Sequence, residues 1–423
     1  MLQINYIRQN TAEVKERLAK KNFGNIDLVD EILQVDDELR KQKAATENLQ
    51  ANINAASKEI GTLMAKGEKE SAEQRKKEVT TCKEELNSGK INLQSLEENF
   101  TGMLLTLPNL PHRSVPAGKT PEENEVVLEG GTIPSLPATA KPHWDLIKEY
   151  DLIDFETGAK ITGSGFPFYK GKGAKLQRSL IQYFLDYNTS AGYTEYMPPL
   201  LVNENTAYGT GQLPDKEGQM YHATADGFYL IPTAEVPVTN IYSNEILKET
   251  DLPIKMTAYT PCFRREAGSF GADVRGLNRL HQFDKVEIIQ LAHPQKSYEV
   301  LEEMTNHVER LLQFLELPYR LLRLCGGDMG FASALTYDFE VYSAAQQKWL
   351  EVSSVSNFET FQTNRMKIRY KDEEGKMQLV HSLNGSSLAL PRIVAALLEN
   401  NQAADGIHLP KVLHQYFGAA MID

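Results

Sequence analysis

The stretch Thr260-Pro-Cys-Phe-Arg-Arg-Glu-Ala-Gly268, continued by Arg275-Gly-Leu-Asn-Arg-Leu-His-Gln-Phe-Asp-Lys-Val-Glu287, decides the fold of this 423-residue chain. An apolar run leads into charged residues, a loop with glycines follows, and a second β-type run starts near Leu280. This pattern predicts two strands joined by a loop, with arginines fixed at the strand ends. Because a guanidinium presents a planar fork of donors that suits phosphate oxygens, the cluster indicates an anion site rather than a surface hairpin.

Around this stretch, the region after residue 108 shows both strand and helix patterns. Short β-branched and aromatic runs predict strands at 166–169, 228–231, 256–263, 285–291, 336–341 and 349–352. Helices are predicted at 174–191, 295–316 and 391–400. Since the strands cluster instead of alternating with helices, we expect an α+β body in which helices flank a mainly antiparallel sheet.

The first hundred residues carry a different pattern. Apolar residues recur at spacings of three and four over 32–63, with polar lapses at Gln42 and Thr46, and again over 79–103. Two such helices joined by a short glycine-containing break bury their apolar seams on each other. The sequence therefore predicts an antiparallel coiled-coil hairpin over about residues 28–104, with arms roughly 45–50 Å long at about 1.5 Å per residue.

Prolines mark the boundary between the two regions. Pro108, Pro111, Pro116 and Pro121 end the helical signal and begin a linker. We therefore expect an N-terminal domain at 1–107, and a second domain fills the rest of the chain at 108–423.

Composition limits the classes of function. Hydrophobic residues at 41% and charged residues at 24% are typical of a folded globular protein. With 45 basic and 57 acidic residues, the formal net charge of −12 argues against indiscriminate nucleic-acid binding, and DNA is not an expected partner. Residues 31–100 hold 11 Lys and Arg against 14 Asp and Glu, so the hairpin as a whole is not basic.

The cysteines and the N-terminus bear on compartment. Cys82, Cys262 and Cys325 lie far apart and form no Cys-x-x-Cys pair, so we expect neither a disulfide framework nor a zinc site, and we expect a cytoplasmic location. Residues 1–21 lack the apolar run of a secretory signal, and no stretch approaches 18 consecutive apolar residues, so no membrane association is expected.

The charged stretches resemble those of a known family. Phe263-Arg-Arg-Glu266, followed by Arg279-Leu-His-Gln-Phe283, is similar to motif 2 (fRxE … R/HxxxF) of the class II aminoacyl-tRNA synthetases. Further motifs resemble the seryl-tRNA synthetase family in particular: Phe168-Tyr-Lys-Gly-Lys-Gly-Ala174, Tyr208-Gly-Thr-Gly-Gln-Leu-Pro214, Thr233-Ala-Glu235, Gln282-Phe-Asp-Lys-Val-Glu287, Glu351-Val-Ser-Ser-Val-Ser-Asn357 and Leu383-Asn-Gly-Ser-Ser-Leu-Ala-Leu-Pro-Arg392. With the helical hairpin, the resemblance covers essentially the whole chain.

The resemblance implies an activity and its partners. The expected reaction is ATP-dependent activation of L-serine to seryl-adenylate, followed by transfer of the seryl group to tRNA(Ser), and to tRNA(Sec) where that tRNA is present. ATP is then a substrate, Mg²⁺ is held through ATP, and zinc is not expected. The resemblance further implies a homodimer with motif 1, near residues 193–201, at the interface, motif 2 at 256–287 and motif 3 at 383–399.

The same resemblance assigns roles residue by residue. Arg264 would hold the ATP α-phosphate and the serine carboxylate, where a fixed cation stabilises charge gained in the transition state. Glu266 would accept a hydrogen bond from the adenine amino group, and Phe283 would stack on the ring. Arg279 and Arg392 would hold the γ-phosphate end. With Arg264, these two arginines form the implied catalytic set.

Larger sets are implied for the two small substrates. The serine site comprises Thr233, Ala234, Glu235, Arg264, Glu287, Asn384 and Ser386. The ATP site comprises Arg264, Arg265, Glu266, Leu280, His281, Gln282, Phe283, Glu351, Val352, Ser353, Ser354 and Arg392. Glu351 and Ser354 offer the hard oxygen ligands that Mg²⁺ on a triphosphate needs. Which of Glu235 and Glu287 takes the serine ammonium, and which accepts from its hydroxyl, stays open at this point.

The arm is implied to bind tRNA by shape and backbone rather than by base edges. Candidate phosphate contacts near its tip are Lys66, Lys69, Arg75, Lys76 and Lys77.

Three alternatives remain. A serine-adenylating enzyme of the same fold could load a non-tRNA carrier, but it would have no need of the long arm. A structural coiled-coil protein would leave the charged motifs without a purpose. Another class II specificity, such as threonine or proline, is excluded only by Thr233-Ala-Glu235, Glu287 and Ser386.

Overall fold

The structure, a computed structural model, describes residues 1–215, 217–266 and 275–423. The chain divides into two compact units. One comprises Leu2–Ala19 and Phe23–Pro108, and the other Met1, Lys20–Asn22 and Asn109–Asp423. Of the predicted glycine-rich loop, Gly268 and Gly271 lie outside the described residues, whereas Gly276 is described.

The smaller unit is helical. Its helices are α1 (Ile4–Gln9), α2 (Thr11–Lys20), α3 (Leu28–Lys66) and α4 (Lys69–Thr106). Between α3 and α4, Gly67 adopts φ +81°, a left-handed conformation that glycine accepts without a Cβ clash. Ile53, Ala56, Val79 and Leu86 form the buried seam. The predicted antiparallel hairpin is thus confirmed.

The polar lapses in the heptads coincide with a close approach of the two helices. Gln42 Nε2 donates to the carbonyl oxygen of Gly89 at 3.3 Å, and Thr46 is buried beside it. A Cβ at Gly89 would lie 3.4 Å from Gln42 Nε2, so glycine leaves room for this layer. The two lapses therefore form a hydrogen-bonded polar layer in the seam.

The larger unit contains the remaining elements. Its helices are α5 (His143–Glu149), α6 (Phe155–Ile161), α7 (Gly171–Ser190), α8 (Glu204–Thr210), α9 (Glu235–Thr239), α10 (Ser297–Phe314), α11 (Phe361–Met366), α12 (Leu390–Asn400) and α13 (His414–Phe417). Its strands are β1 (Glu125–Gly130), β2 (Thr194–Glu195), β3 (Leu201–Val202), β4 (His222–Ala223), β5 (Phe228–Leu230), β6 (Ile246–Lys248), β7 (Ile254–Phe263), β8 (Gln282–Ala292), β9 (Tyr319–Arg323), β10 (Leu335–Ser343), β11 (Lys348–Asn357), β12 (Arg369–Lys371), β13 (Met377–Leu379), β14 (His381–Ala389), β15 (Gln402–Ala403), β16 (Gly406–His408) and β17 (Met421–Ile422).

An eight-stranded sheet organises this unit, in the order β1-β9-β10-β11-β14-β8-β7-β2. Its pairs are antiparallel except β2 with β7, as the α+β prediction required. Side chains alternate between the faces of each strand. Val286 and Ile288 of β8 therefore pack into the main core with residues of α7, α10 and α12. The intervening residues of β8 point to the opposite face.

The three predicted helices correspond to α7, α10 and α12, and the predicted strands from residue 228 onward correspond to β5, β7, β8, β10 and β11. The strand predicted at 166–169 is wrong. Only Tyr169 pairs, in an isolated bridge with Ile153, because Pro167 lacks an N–H and the chain enters α7 at Gly171. Among the described residues, we find no helix with the length and apolarity to cross a membrane.

Candidate active site

A cavity of about 540 Å³ opens on the sheet face opposite the main helical core. Strands β8, β11 and β14 form its floor, Arg264 and Glu266 after β7 form one side, and the start of α12 closes another. Fifteen of the residues implied by the family resemblance line it: Thr233, Glu235, Arg264, Glu266, Arg279, Leu280, Phe283, Glu287, Glu351, Val352, Ser353, Ser354, Asn384, Ser386 and Arg392. Residues up to 159 positions apart in sequence are thus brought together.

Four implied residues do not line the cavity. Ala234 is buried in a neighbouring apolar cluster, and Arg265 and Gln282 are exposed. His281 lies beneath the strand end, where its Nδ1 is 3.1 Å from the carbonyl oxygen of Arg264. His281 is therefore placed to support the backbone of Arg264.

Strand register places the polar end of the cavity. Ser386 of β14 lies directly opposite Glu287 of β8. Asn384, two residues earlier on β14, lies opposite Ser356 of β11. Thr233 Oγ1 donates to Glu287 Oε2 at 3.2 Å. A hydroxyl-bearing side chain and a buried carboxylate thus face one small volume.

Two carboxylates in this volume are almost out of contact with water. Burial raises the pKa of Glu235 to about 7, although Gln362 Nε2 donates to its Oε1 at 2.6 Å and favours the charged form. Burial also raises the pKa of Glu287, opposed by its ion pair with Lys285. The cavity is therefore an environment in which an incoming cation is strongly favoured.

Sequence reasoning missed two polar residues that contact the buried carboxylates, namely Lys285 and Gln362. Lys285 could have been found, because a period of two along β8 puts it on the same face as Phe283 and Glu287. Gln362 on α11 gave no such signal. It lies 127 positions from Glu235, and only the fold brings them together.

Guanidinium groups surround the other end of the cavity. The Arg264 guanidinium lies 5.2 Å from the centre of the Phe283 ring. Arg279 Nε is 2.7 Å from Glu266 Oε2. Arg392 Nη1 donates to the carbonyl oxygen of Glu351 at 2.7 Å. Three fixed cations beside an aromatic ring match the charge distribution of a nucleoside triphosphate.

Oxygen donors on β10 and β11 face the same region. Glu351 has 51% of its side chain exposed, and Ser354 lies opposite Asp338. Asp338 Oδ1 is shielded from solvent without a hydrogen-bond partner among the described residues, and burial together with the Glu351 charge raises the Asp338 pKa. In the described parts of the chain, no group of three His, Cys, Asp or Glu side chains could hold a metal by itself. The donor set instead fits a hard cation that brings phosphate oxygens and waters.

The candidate tRNA contacts lie on the other unit. Lys66, Lys69 and Lys77 are exposed. Arg75 forms ion pairs with Glu59 and Glu78, and Lys76 forms one with Glu73. The guanidinium of Arg75 and the ammonium of Lys76 are therefore already engaged by carboxylates.

The antiparallel sheet carries arginines and an aromatic ring over one cavity, as the resemblance to class II aminoacyl-tRNA synthetases predicts. Residues 220–401 match the family described as tRNA synthetase class II core domain (G, H, P, S and T), and residues 1–111 match the Seryl-tRNA synthetase N-terminal domain. Together with a relative that is 51% identical over the whole chain, these matches show that the chain belongs to the seryl-tRNA synthetase family.

Individual relatives agree with this assignment. A serine--tRNA ligase from Salinibacter ruber is 51% identical over 424 residues, which cover 100% of this chain and 99% of that protein. The crystal structure of a seryl-tRNA synthetase from Pyrococcus horikoshii complexed with ATP is similar with a TM-score of 0.93 and 33% identity, covering 100% of this chain and 99% of that one. The structure of a cytoplasmic serine-tRNA ligase from Naegleria fowleri in complex with AMP is similar with a TM-score of 0.87 and 26% identity. The match covers 100% of this chain and 98% of that one.

The raised pKa of Glu235 predicts a pH-dependent stability. The folded chain holds this proton more tightly than the unfolded chain, so between about pH 4.5 and 7 the unfolded state binds fewer protons. The free energy of unfolding should therefore fall as pH rises through this window, by on the order of 3 kcal/mol from this group.

Glu235→Gln should reduce the fall, as measured by urea unfolding at a series of pH values. Glu351→Gln, which alters an exposed carboxylate of the same cavity, serves as the control. Identical pH slopes in wild type and Glu235→Gln would contradict the assignment.

Proposed function

We propose that the cavity activates L-serine with ATP to seryl-adenylate and that the chain then transfers the seryl group to tRNA(Ser). The observation that carries the proposal is a single cavity with two different ends. Three guanidinium groups and an aromatic ring lie at one end, and two buried carboxylates, one of them opposite Ser386, lie at the other. In this proposal, residues 108–423 form the catalytic domain, and residues 1–107 form the tRNA-binding domain.

The first half-reaction needs positioning and charge stabilisation. A serine carboxylate oxygen attacks the α-phosphorus, an O–P bond forms, and pyrophosphate leaves with the electrons of the broken bond. The Arg264 guanidinium lies 5.2 Å from the centre of the Phe283 ring, and its charge partly offsets the burial that raises the pKa values of Glu235 and Glu287, so in this proposal it reaches both the serine carboxylate and the α-phosphate. Because the phosphoryl oxygens gain charge in the transition state, this fixed cation lowers the barrier. Arg279 and Arg392 hold the triphosphate tail.

The second half-reaction uses the same cavity. The 3′-terminal hydroxyl of tRNA attacks the carbonyl carbon of seryl-adenylate, an ester bond forms, and AMP leaves. No side chain is required as a nucleophile, because the tRNA hydroxyl supplies one. The protein contributes orientation of the two reactants.

Serine recognition follows from the register of β8 and β14. Glu287 and Ser386 face each other, and this supports their joint role in binding the substrate hydroxyl. Glu235 is then left for the ammonium group, whose charge favours ionisation of a carboxylate with a pKa of about 7. The ion pair with Lys285 leaves Glu287 as an acceptor whose charge is already balanced.

Glu351 and Ser354 would hold Mg²⁺ together with the triphosphate. The supporting observation is that Glu351 and Ser354, which both offer hard oxygen donors, line the cavity together with Arg392. When bound, Mg²⁺ supplies charge neutralisation of the triphosphate. Arg392 contacts the Glu351 carbonyl oxygen and orients this segment.

A homodimer is supported by exposed apolar residues in and near motif 1. Met197 is 90% exposed, Leu200 38% and Leu201 47%. Contiguous apolar residues on the surface of a folded protein indicate a covered face. A second copy of this chain, packed through residues 193–201, is the proposed cover.

Replacement of Arg264 tests the adenylation site. Arg264→Ala should lower kcat in serine-dependent ATP–pyrophosphate exchange by roughly 10²–10³-fold, since it removes a charge-stabilising donor. The fold should persist, because the Arg264 side chain makes one weak hydrogen bond among the described residues, from Nε to the Pro232 carbonyl oxygen at 3.4 Å, and the substitution leaves the backbone hydrogen bonds of this residue in place. Arg178→Ala, which removes an exposed arginine of α7, is the matched control. Near-normal exchange by folded Arg264→Ala would remove Arg264 from the site.

The hydroxyl contact of Ser386 sets a second test. Ser386→Ala should weaken serine use and narrow the serine/alanine ratio of kcat/KM, on the scale of a lost buried hydrogen bond, about 1–3 kcal/mol. Ser387→Ala is the control, because Ser387 is equally buried but donates to Asn188 Oδ1 at 2.9 Å and does not line the cavity. An unchanged ratio in Ser386→Ala would show that Ser386 does not contact the substrate hydroxyl.

Deletion of the arm separates the two half-reactions. Replacement of residues 36–99 by a short linker should leave pyrophosphate exchange nearly intact and abolish tRNA charging. The physical reason is that α3 and α4 bury their seam on each other. A full-length variant with Lys66, Lys69 and Lys77 changed to Glu should show a weaker defect that shrinks as salt rises, because salt already weakens the phosphate contacts that the wild type makes. Lost exchange with retained charging would refute the two-domain division.

A further inference from the structure

A buried polar cluster lies beside the triphosphate end of the cavity and has no role in the chemistry described above. It consists of His143 at the start of α5, Ser343 at the end of β10, Gln346 in the following turn, and Glu399 on α12. The side chains of His143 and Glu399 have no exposed surface, and none of the four residues lines the cavity. Gln346 is half-buried and the other three residues are buried, and burial of polar side chains is costly unless each is hydrogen-bonded.

The hydrogen bonds of this cluster fix the tautomer of His143. Its backbone N–H and its Nδ1 both contact Glu399 Oε1, at 2.8 and 2.7 Å, and Ser343 Oγ donates to the other carboxylate oxygen. Burial alone would raise the Glu399 pKa, but these donors bring it below its usual value, so Glu399 is charged and Nδ1 carries the proton. The bare Nε2 then accepts the backbone N–H of Leu277 at 2.9 Å.

The chain next to Leu277 is shaped around the same ring. Gly276 has φ +66°, and a Cβ on it would lie 2.2 Å from His143 Nε2. The Arg275 guanidinium lies 4.5 Å from the centre of the Trp144 ring. The segment that leads into Arg279 is therefore seated on the first residues of α5.

From this segment the contacts continue to the cavity. Asn278 Nδ2 donates to Gln346 Oε1 at 3.0 Å, and Gln346 Nε2 donates to Glu399 Oε1 at 2.8 Å. Arg392 Nε donates to the carbonyl oxygen of Asn278 at 3.1 Å. The backbone held by His143 thus bonds directly to one triphosphate-binding arginine and immediately precedes the other, Arg279.

We propose that His143, oriented by Glu399, is a positioning residue for ATP: it fixes Leu277 and Asn278 so that Arg279 and Arg392 meet the β- and γ-phosphates. This inference rests on the proposed function. Among the described residues, the serine end of the cavity shares no hydrogen bond with the cluster, so the expected effect is on nucleotide binding.

The test compares two substitutions in serine-dependent pyrophosphate exchange. His143→Leu removes the acceptor for the Leu277 N–H and should raise the KM for ATP roughly tenfold, while the KM for serine stays within about twofold. His143→Gln keeps a donor and an acceptor on one planar group and should recover much of the loss. Gln346→Leu, at a half-buried turn position, should show the same selectivity even if His143→Leu does not fold.

Two controls separate positioning from general destabilisation. His381→Leu removes another largely buried histidine, bonded to Ser297 Oγ at 2.7 Å and absent from the cavity wall. It should lower Tm without a selective change in KM for ATP. In a double-mutant cycle, the combined effect of His143→Leu and Arg392→Ala on the KM for ATP should be smaller than the sum of the two single effects, expressed as free energies.

Equal changes in both KM values, no recovery in folded His143→Gln, or full additivity with Arg392→Ala would each overturn the inference. Wild-type protein without serine-dependent exchange would instead refute the proposed function.

Discussion

The antiparallel pairing of β8 with β7 and β14 is the constraint on which the site depends. This pairing places Glu287 of β8 between Ala258 of β7 on one side and Ser386 of β14 on the other. A shift of one residue in this register would turn Phe283, Lys285 and Glu287 away from the cavity and bring Val286 and Ile288 into it. The apolar core beneath α7, α10 and α12 therefore specifies the active site as strictly as it specifies the fold.

Burial gives the site its electrostatic character. Glu235 and Glu287 would each be ordinary carboxylates in water, but in the cavity the pKa of each is raised. Lys285 forms an ion pair with Glu287, and Gln362 donates a hydrogen bond to Glu235. A ligand with one ammonium group and one hydroxyl satisfies the remaining demand. An amino acid without the hydroxyl leaves polar groups unpaired.

Sequence patterns predicted the parts of the structure that are local or periodic. The heptads predicted both helices of the arm, and the stretch at 260–287 predicted two strands. The family resemblance, and not the spacing, implied fifteen of the residues that line the cavity. The prediction of a strand at 166–169 was wrong. It rested on the aromatic residues and did not take into account that Pro167 has no N–H to donate to a neighbouring strand.

Contacts distant in sequence could not be predicted. Gln362 with Glu235, and His143 with Glu399 and Leu277, join residues more than a hundred positions apart. No periodicity links such residues, since their proximity follows from how the helices pack on the sheet. The residue-by-residue roles in the site stay predictions, and geometry alone supports them.

Serine-dependent ATP–pyrophosphate exchange, measured for all twenty amino acids with the full chain, tests the central claim most directly. If Glu287 and Ser386 bind the serine hydroxyl, the kcat/KM for serine should be about 10⁴-fold or more above that for alanine. Threonine should be rejected sterically by the walls of a serine-sized pocket. Comparable exchange with alanine, or a preference for threonine or proline, would contradict the claim that this buried carboxylate pair recognises serine.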